Sequence, residues 1–110
     1  GEWKGRVFDG PAIDEVVDGI ADRGVLPSCD AVLSGYLGSA DIGHAVLAAV
    51  ARVRAANPDA VYCADPVIGD VGRGIFVRPG IPELMRDVVV PAADVVTPNV
   101  PEAAVLLGEA

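Results

Sequence analysis

Cys29-Asp30-Ala31-Val32-Leu33-Ser34 and, one long stretch later, Ala60-Val61-Tyr62-Cys63-Ala64-Asp65-Pro66 carry the fold of this chain. Each is a short apolar run that stops abruptly, the first at Gly35 and the second at Asp65-Pro66. Runs of that length, closed by turn formers, read as buried strands. Between them Ser39 is a natural N-cap, and Asp41 falls in the first turn, where the helix dipole favours a carboxylate. Ile42, Ala45, Val46, Ala49, Val50 and Val53 then recur at helical spacing, Arg52 and Arg54 fall near the end, and Asn57-Pro58 stops the helix. Strand, helix, strand in this order is a βαβ unit, the building block of a parallel sheet.

The same alternation continues on both sides. Residues 11–23 read as a helix with Ile13, Val16, Val17 and Ile20 on one face; Asp14, Glu15, Asp18 and Asp22 form its solvated face and Gly24 ends it. Beyond the second strand lies a glycine-rich stretch, residues 69–80, in which Ile75-Phe76-Val77 suits one arm of a small flap. A helix over residues 82–89 follows, with Pro82 in its first turn. Asp94-Val95-Val96 is a third short strand, closed by Thr97-Pro98-Asn99. A last helix starts near Val100, packs Ala103, Leu106 and Leu107, and stops at Gly108.

The chain has 110 residues, enough for one domain, and 52% of them are hydrophobic against 22% charged, which excludes wholesale disorder. Eight basic residues against sixteen acidic ones give a net charge of -8, a balance that argues against nucleic acid and anionic membrane surfaces as partners. No apolar run approaches the ~18 residues of a membrane span. Lys4 is the only lysine, so Schiff-base or lysine-clamp chemistry has little to draw on. Cys29 and Cys63 match no metal-ligand spacing and read as reduced core thiols, which points to the cytoplasm.

In an open parallel sheet, ligands bind at the carboxyl ends of the strands. Here those ends are Ser34-Gly35-Tyr36, Asp65-Pro66-Val67 and Thr97-Pro98-Asn99, where the chain spends its small, polar and acidic residues. Asp65, Asp70 and Glu102 would gather carboxylates on that edge, a donor set suited to Mg²⁺ bound with phosphates beside helix N-termini. Each has a plainer reading. Asp65 before Pro66 also terminates a strand, Asp70 beside Gly69 also suits a turn, and Asn99 with Glu102 three residues later also matches a capping box. Gly72-Arg73-Gly74-Ile75-Phe76-Val77 lacks the third glycine of a dinucleotide fingerprint, and there is no Walker A pattern or serine nucleophile elbow. His44 lies off the apolar stripe and reads as solvent-exposed. Trp3, Tyr62 and Phe76 read as packing residues.

These exits, taken with their neighbours, resemble bacterial pyridoxal kinases. The likeness runs in order through Trp3-Lys4-Gly5, Val32-Leu33-Ser34-Gly35-Tyr36-Leu37-Gly38-Ser39-Ala40-Asp41, Asp65-Pro66-Val67-Ile68-Gly69-Asp70, and Gly72-Arg73-Gly74 with Phe76-Val77-Arg78-Pro79-Gly80. It closes with Pro91-Ala92-Ala93-Asp94 and Thr97-Pro98-Asn99. The resemblance implies a three-layer, ribokinase-like (Rossmann-like) α/β fold, with residues 1–110 the central part of a single kinase domain. It implies transfer of the γ-phosphoryl group of ATP to the 5′-hydroxymethyl of pyridoxal, with Mg²⁺. Asp65, Thr97, Asn99 and Glu102 would then line the nucleotide site, Asp65, Asp70 and Glu102 the metal, and Tyr36 the pyridoxal ring, with residues 72–77 as a flap over the phosphates. A full-length homodimer is implied as well.

Two features depart from that family. Asn99-Val100-Pro101-Glu102-Ala103 is worded like hydroxymethylpyrimidine phosphate kinases, a sister group, so that substrate remains the alternative, beside a non-catalytic nucleotide-binding module. The family's Gly-x-Gly-Asp motif, which holds the catalytic base, does not occur in these residues. The chain is therefore expected to be an internal part of a longer kinase, without phosphoryl transfer of its own. Three strands with two free edges are also expected to leave apolar surface uncovered.

Overall fold

The computed structural model describes residues 9–70, 74–75 and 79–108, and of residues 69, 70, 74 and 75 the backbone alone. Trp3-Lys4-Gly5, Gly72-Arg73, Phe76, Val77 and Arg78, and the side chain of Asp70, lie outside the described residues.

Helix α1 spans Gly10–Asp22, capped by Asp9, whose carboxylate accepts from Ala12 N–H at 3.0 Å. A 3-10 turn, Leu26–Ser28, leads into β1 (Ala31–Ser34). Helix α2 (Ala40–Ala56) starts at Ser39, whose Oγ accepts from Ile42 N–H at 3.2 Å, and ends at Asn57. Strand β2 (Val61–Ala64) follows, and then the short antiparallel pair β3 (Gly69–Asp70) and β4 (Gly74–Ile75), which is the described part of the expected flap.

The next helix runs longer than the sequence pattern predicts and changes register twice. It comprises α3 (Ile81–Leu84), a π-helical turn over Met85–Val89, and α4 (Val90–Ala92). Pro91 supplies the reason. A proline inside a helix lacks an N–H and its ring crowds the carbonyl four residues back. The helix widens just ahead of it, so that Val90 N–H donates to Met85 O, five residues earlier. Strand β5 (Val95–Val96) and helix α5 (Val100–Leu106) complete the chain.

Strands β1, β2 and β5 form one parallel sheet in the order β1-β2-β5, with Val32 opposite Tyr62 and Cys63 opposite Val95. Successive side chains of a strand point to opposite faces. Val32, Ser34, Tyr62, Ala64 and Val96 therefore meet the helical layer, where Leu37, Val50, Ile81, Leu84, Met85 and Val89 close the core, with Val105 and Leu106 of α5 against it. Gly43 lets α2 approach α3, since a Cβ there would lie 2.4 Å from Leu84 Cδ2. α1 packs on α2, joined by Gly10 N–H to Asp41 Oδ2 at 2.8 Å and by Arg52 to Asp18 at 2.6 Å.

The other sheet face carries Leu33, 75% exposed, with Val61 and Val95 also exposed. This is the uncovered apolar surface expected from three strands. Cys63 alternates onto that face and Cys29 follows the 3-10 turn; both are free thiols, half-buried rather than in the core. His44 is exposed and Tyr62 is buried, as their places in the pattern predict.

Candidate functional site at the strand exits

Parallel pairing sends all three strand ends to one edge, and the hydrogen bonds continue past the strands. Asp65 N–H donates to Ser34 O at 2.8 Å, and Thr97 N–H donates to Ala64 O at 3.2 Å. Asp65 and Thr97 are thus the next rungs of two adjacent ladders, although 32 positions apart in the chain. Asp65 is half-buried and Thr97 exposed. Tyr36, two residues beyond β1 on the same edge, is 57% exposed.

Glu102 closes the arrangement. It is 5% exposed, and both carboxylate oxygens accept backbone N–H groups: Oε2 from Ile68 at 2.7 Å and Oε1 from Asn99 at 3.0 Å. Asn99 Oδ1 accepts in return from Glu102 N–H at 2.9 Å, so the capping box is present. A box alone would tie Glu102 to its own helix. The bond to Ile68 also fastens α5 to the turn that leaves β2, three residues after Asp65. Glu102 is thereby tied to the turn that follows Asp65, with both of its carboxylate oxygens accepting backbone N–H groups. Among the described residues, no group of three or more His, Cys, Asp or Glu side chains is placed to hold a metal, Asp70's side chain being outside them.

Two polar arrangements escape sequence reasoning. Ser34 Oγ and Tyr62 Oη lie 2.6 Å apart in the core beneath the exits. At the opposite end of the sheet, Asp94 Oδ2 accepts from Tyr62 N–H at 2.8 Å and from Arg54 at 2.9 Å, while Asp94 N–H donates to Tyr62 O at 2.8 Å. The Tyr62 N–H bond, then the Arg54 guanidinium, hold the Asp94 carboxyl below its ordinary range. Neither arrangement has a sequence signal, because the partners are far apart in the chain and meet only through strand register. A groove of about 260 Å³ lined by Ala12, Ile13, Val16 and Val17 lies on α1 and involves none of the strand-exit residues.

A parallel sheet with helices packed on it, whose exits carry acidic and hydroxyl side chains at one edge, is an α/β architecture of the kind that the resemblance implies. The chain belongs to the phosphomethylpyrimidine kinase family, whose model matches residues 14–110. It is 69% identical over 99 residues to a pyridoxal kinase PdxY of Granulibacter bethesdensis, covering 90% of this chain and 35% of that protein. It is 59% identical over 108 residues to a pyridoxal kinase PdxY of Rubrobacter xylanophilus, covering 98% of this chain and 37% of that protein. The chain thus spans little more than a third of the length of these curated relatives. Among solved structures, the pyridoxal kinase of Leishmania donovani in complex with ADP and pyridoxamine is similar with a TM-score of 0.84 and 35% identity, over 94% of this chain and 36% of that one.

Proposed function

We propose that this chain is the strand-exit half of the active site of a pyridoxal kinase, which transfers the γ-phosphoryl group of ATP to the 5′-hydroxymethyl oxygen of pyridoxal. What supports the reading is that Asp65 and Thr97 continue adjacent ladders of the sheet, with Glu102 bonded to the turn after Asp65, in a chain 69% identical to a pyridoxal kinase. In such a transfer the hydroxyl oxygen bonds to the γ-phosphorus, the bond from that phosphorus to the β-bridging oxygen breaks, ADP leaves, and the hydroxyl proton goes to a base. Catalysis is mostly positioning and charge neutralisation.

The residues here serve the first of those needs directly. Tyr36 offers an exposed ring beside the exit of β1 for the pyridine. By the family resemblance, Thr97 and Asn99 would line the nucleotide site. By the family resemblance, Asp65, Asp70 and Glu102 would supply the negative charge that holds Mg²⁺, which when bound would neutralise phosphate charge. The resemblance puts the proton-accepting base in a Gly-x-Gly-Asp segment outside these residues. A homodimer and a cytoplasmic location belong to the same reading; the family resemblance supports the first. No helix among the described residues is long and apolar enough to cross a membrane.

The test is ATP-dependent formation of pyridoxal 5′-phosphate by a full-length protein carrying this chain. A second reading rests on Asn99-Val100-Pro101-Glu102-Ala103 and on the matching family model. It predicts phosphorylation of hydroxymethylpyrimidine in preference to pyridoxal, and that preference would overturn the first.

A further inference from the structure

We infer that the buried Ser34–Tyr62 hydroxyl pair is a positioning device for the substrate side of the site: it sets where the Gly35-Tyr36 exit of β1 stands relative to β2. The inference rests on the proposed kinase reading for the identity of the substrate, and on the structure alone for the geometry.

Ser34 is the last residue of β1 and is 7% exposed; Tyr62 sits on β2 and is 1% exposed. In the sheet register Tyr62 lies opposite Val32, two residues before Ser34. Its phenol therefore leans along the strands toward the exits, where Oη meets Ser34 Oγ at 2.6 Å. Ser34 is held a second time through its main chain, since its carbonyl accepts from Asp65 N–H at 2.8 Å. One residue thereby links the carboxylate-bearing exit of β2 to the aromatic-bearing exit of β1.

The far end of the lever is equally fixed. Tyr62 N–H and O both bond to Asp94, and the Arg54 guanidinium lies 6.0 Å from the centroid of the Tyr62 ring. A phenol so anchored has little freedom, and neither does the serine it holds. After Ser34 the chain enters Gly35, where a Cβ would find nothing within 4 Å, and then Tyr36. With open space around Gly35 and an exposed ring at Tyr36, Ser34 is the last packed point before the substrate-side aromatic. A hydrogen bond that holds such a point fixes geometry, and a small misplacement there is felt in substrate affinity.

A purely structural role makes a different prediction. Two buried hydroxyls that merely satisfy each other are expendable together: removing one strands the other, and removing both is nearly neutral. The experiment uses a full-length protein carrying this chain with Tyr62→Phe, Ser34→Ala, and both changes combined. For each, KM for pyridoxal, KM for ATP, kcat and Tm are measured, with pyridoxal dissociation constants from its absorbance. Positioning predicts that each single variant raises KM and Kd for pyridoxal about three- to tenfold, with KM for ATP and kcat within twofold. It further predicts that the double variant recovers Tm but keeps the raised pyridoxal KM. Recovery of pyridoxal KM to the parent value in the double variant, or an unchanged KM in the singles, overturns it. If the parent protein phosphorylates hydroxymethylpyrimidine instead, the pyridoxal assignment fails separately, and the same KM pattern for that substrate decides the positioning role.

Discussion

Replacing Glu102 by Gln tests whether this carboxylate holds the edge together. In the structure one oxygen accepts from Ile68 N–H at 2.7 Å and the other from Asn99 N–H at 3.0 Å, in a residue 5% exposed. A glutamine carries a single oxygen, so one of those N–H groups must face an amide NH₂ that cannot accept. A buried donor left unpaired costs about 1–3 kcal/mol, and exchanging a charged for a neutral acceptor at the remaining bond costs about 1 kcal/mol more. The sum, roughly 2–4 kcal/mol, is a large part of the ~5–15 kcal/mol that typically separates folded from unfolded protein. Urea unfolding of the full-length protein, followed by circular dichroism, reads it directly. Glu102→Asp is the companion: it keeps the charge, shortens the reach by one methylene, and is expected to lose comparable stability. A Glu102→Gln protein within about 0.5 kcal/mol of the parent would refute the clamp. If that stable variant also needed more Mg²⁺ for half-maximal rate, Glu102 would be a metal-side group only.

Asp94→Asn removes a carboxylate whose proton affinity is lowered by the Tyr62 N–H and by Arg54. Because the folded value is depressed, its contribution is complete above the unfolded value of about 3.9 and disappears as pH falls through the lower folded one. The Tm gap between parent and Asp94→Asn should therefore be full at pH 7 and narrow progressively as pH falls below about 4; a gap that does not narrow with falling pH would contradict it. Tyr36→Ala, at a side chain 57% exposed, should leave stability within about 0.5 kcal/mol and raise the pyridoxal KM by about two- to tenfold, the worth of an aromatic contact. An unchanged pyridoxal KM would remove Tyr36 from the ring site.

What could be foreseen from sequence was whatever is written in consecutive residues. The runs ending at Ser34 and Ala64 announce strands by composition, Ser39 and Asn99 announce helix starts by their side chains, and the convergence of exits follows from parallel pairing. Helix limits were less legible where one residue acts on its predecessors: Pro91 does not end the helix but diverts it through the π turn over Met85–Val89. Contacts set by register were not legible at all. Tyr62 looks like any core aromatic until Val32 is placed opposite it, which brings its hydroxyl to Ser34. Glu102 shows the middle case. Its spacing from Asn99 announces the capping box, but nothing local announces Ile68, 34 residues away, as the second partner.

The same two-residue period that hides Tyr62 leaves Leu33, Val61 and Val95 on the open face. Both faces of these strands are apolar, the pattern of a sheet covered on both sides, whereas a sheet meant to meet water on one side alternates apolar with polar. Where water is the neighbour, Leu33 at 75% exposure forgoes most of the stabilisation its burial would bring, about 1.5–3 kcal/mol for such a side chain. Three strands and one helical layer are thus enough to form the edge at which Asp65, Thr97 and Glu102 meet. They are not enough to bury the sheet that carries it, since Leu33, Val61 and Val95 stay open to water on its other face.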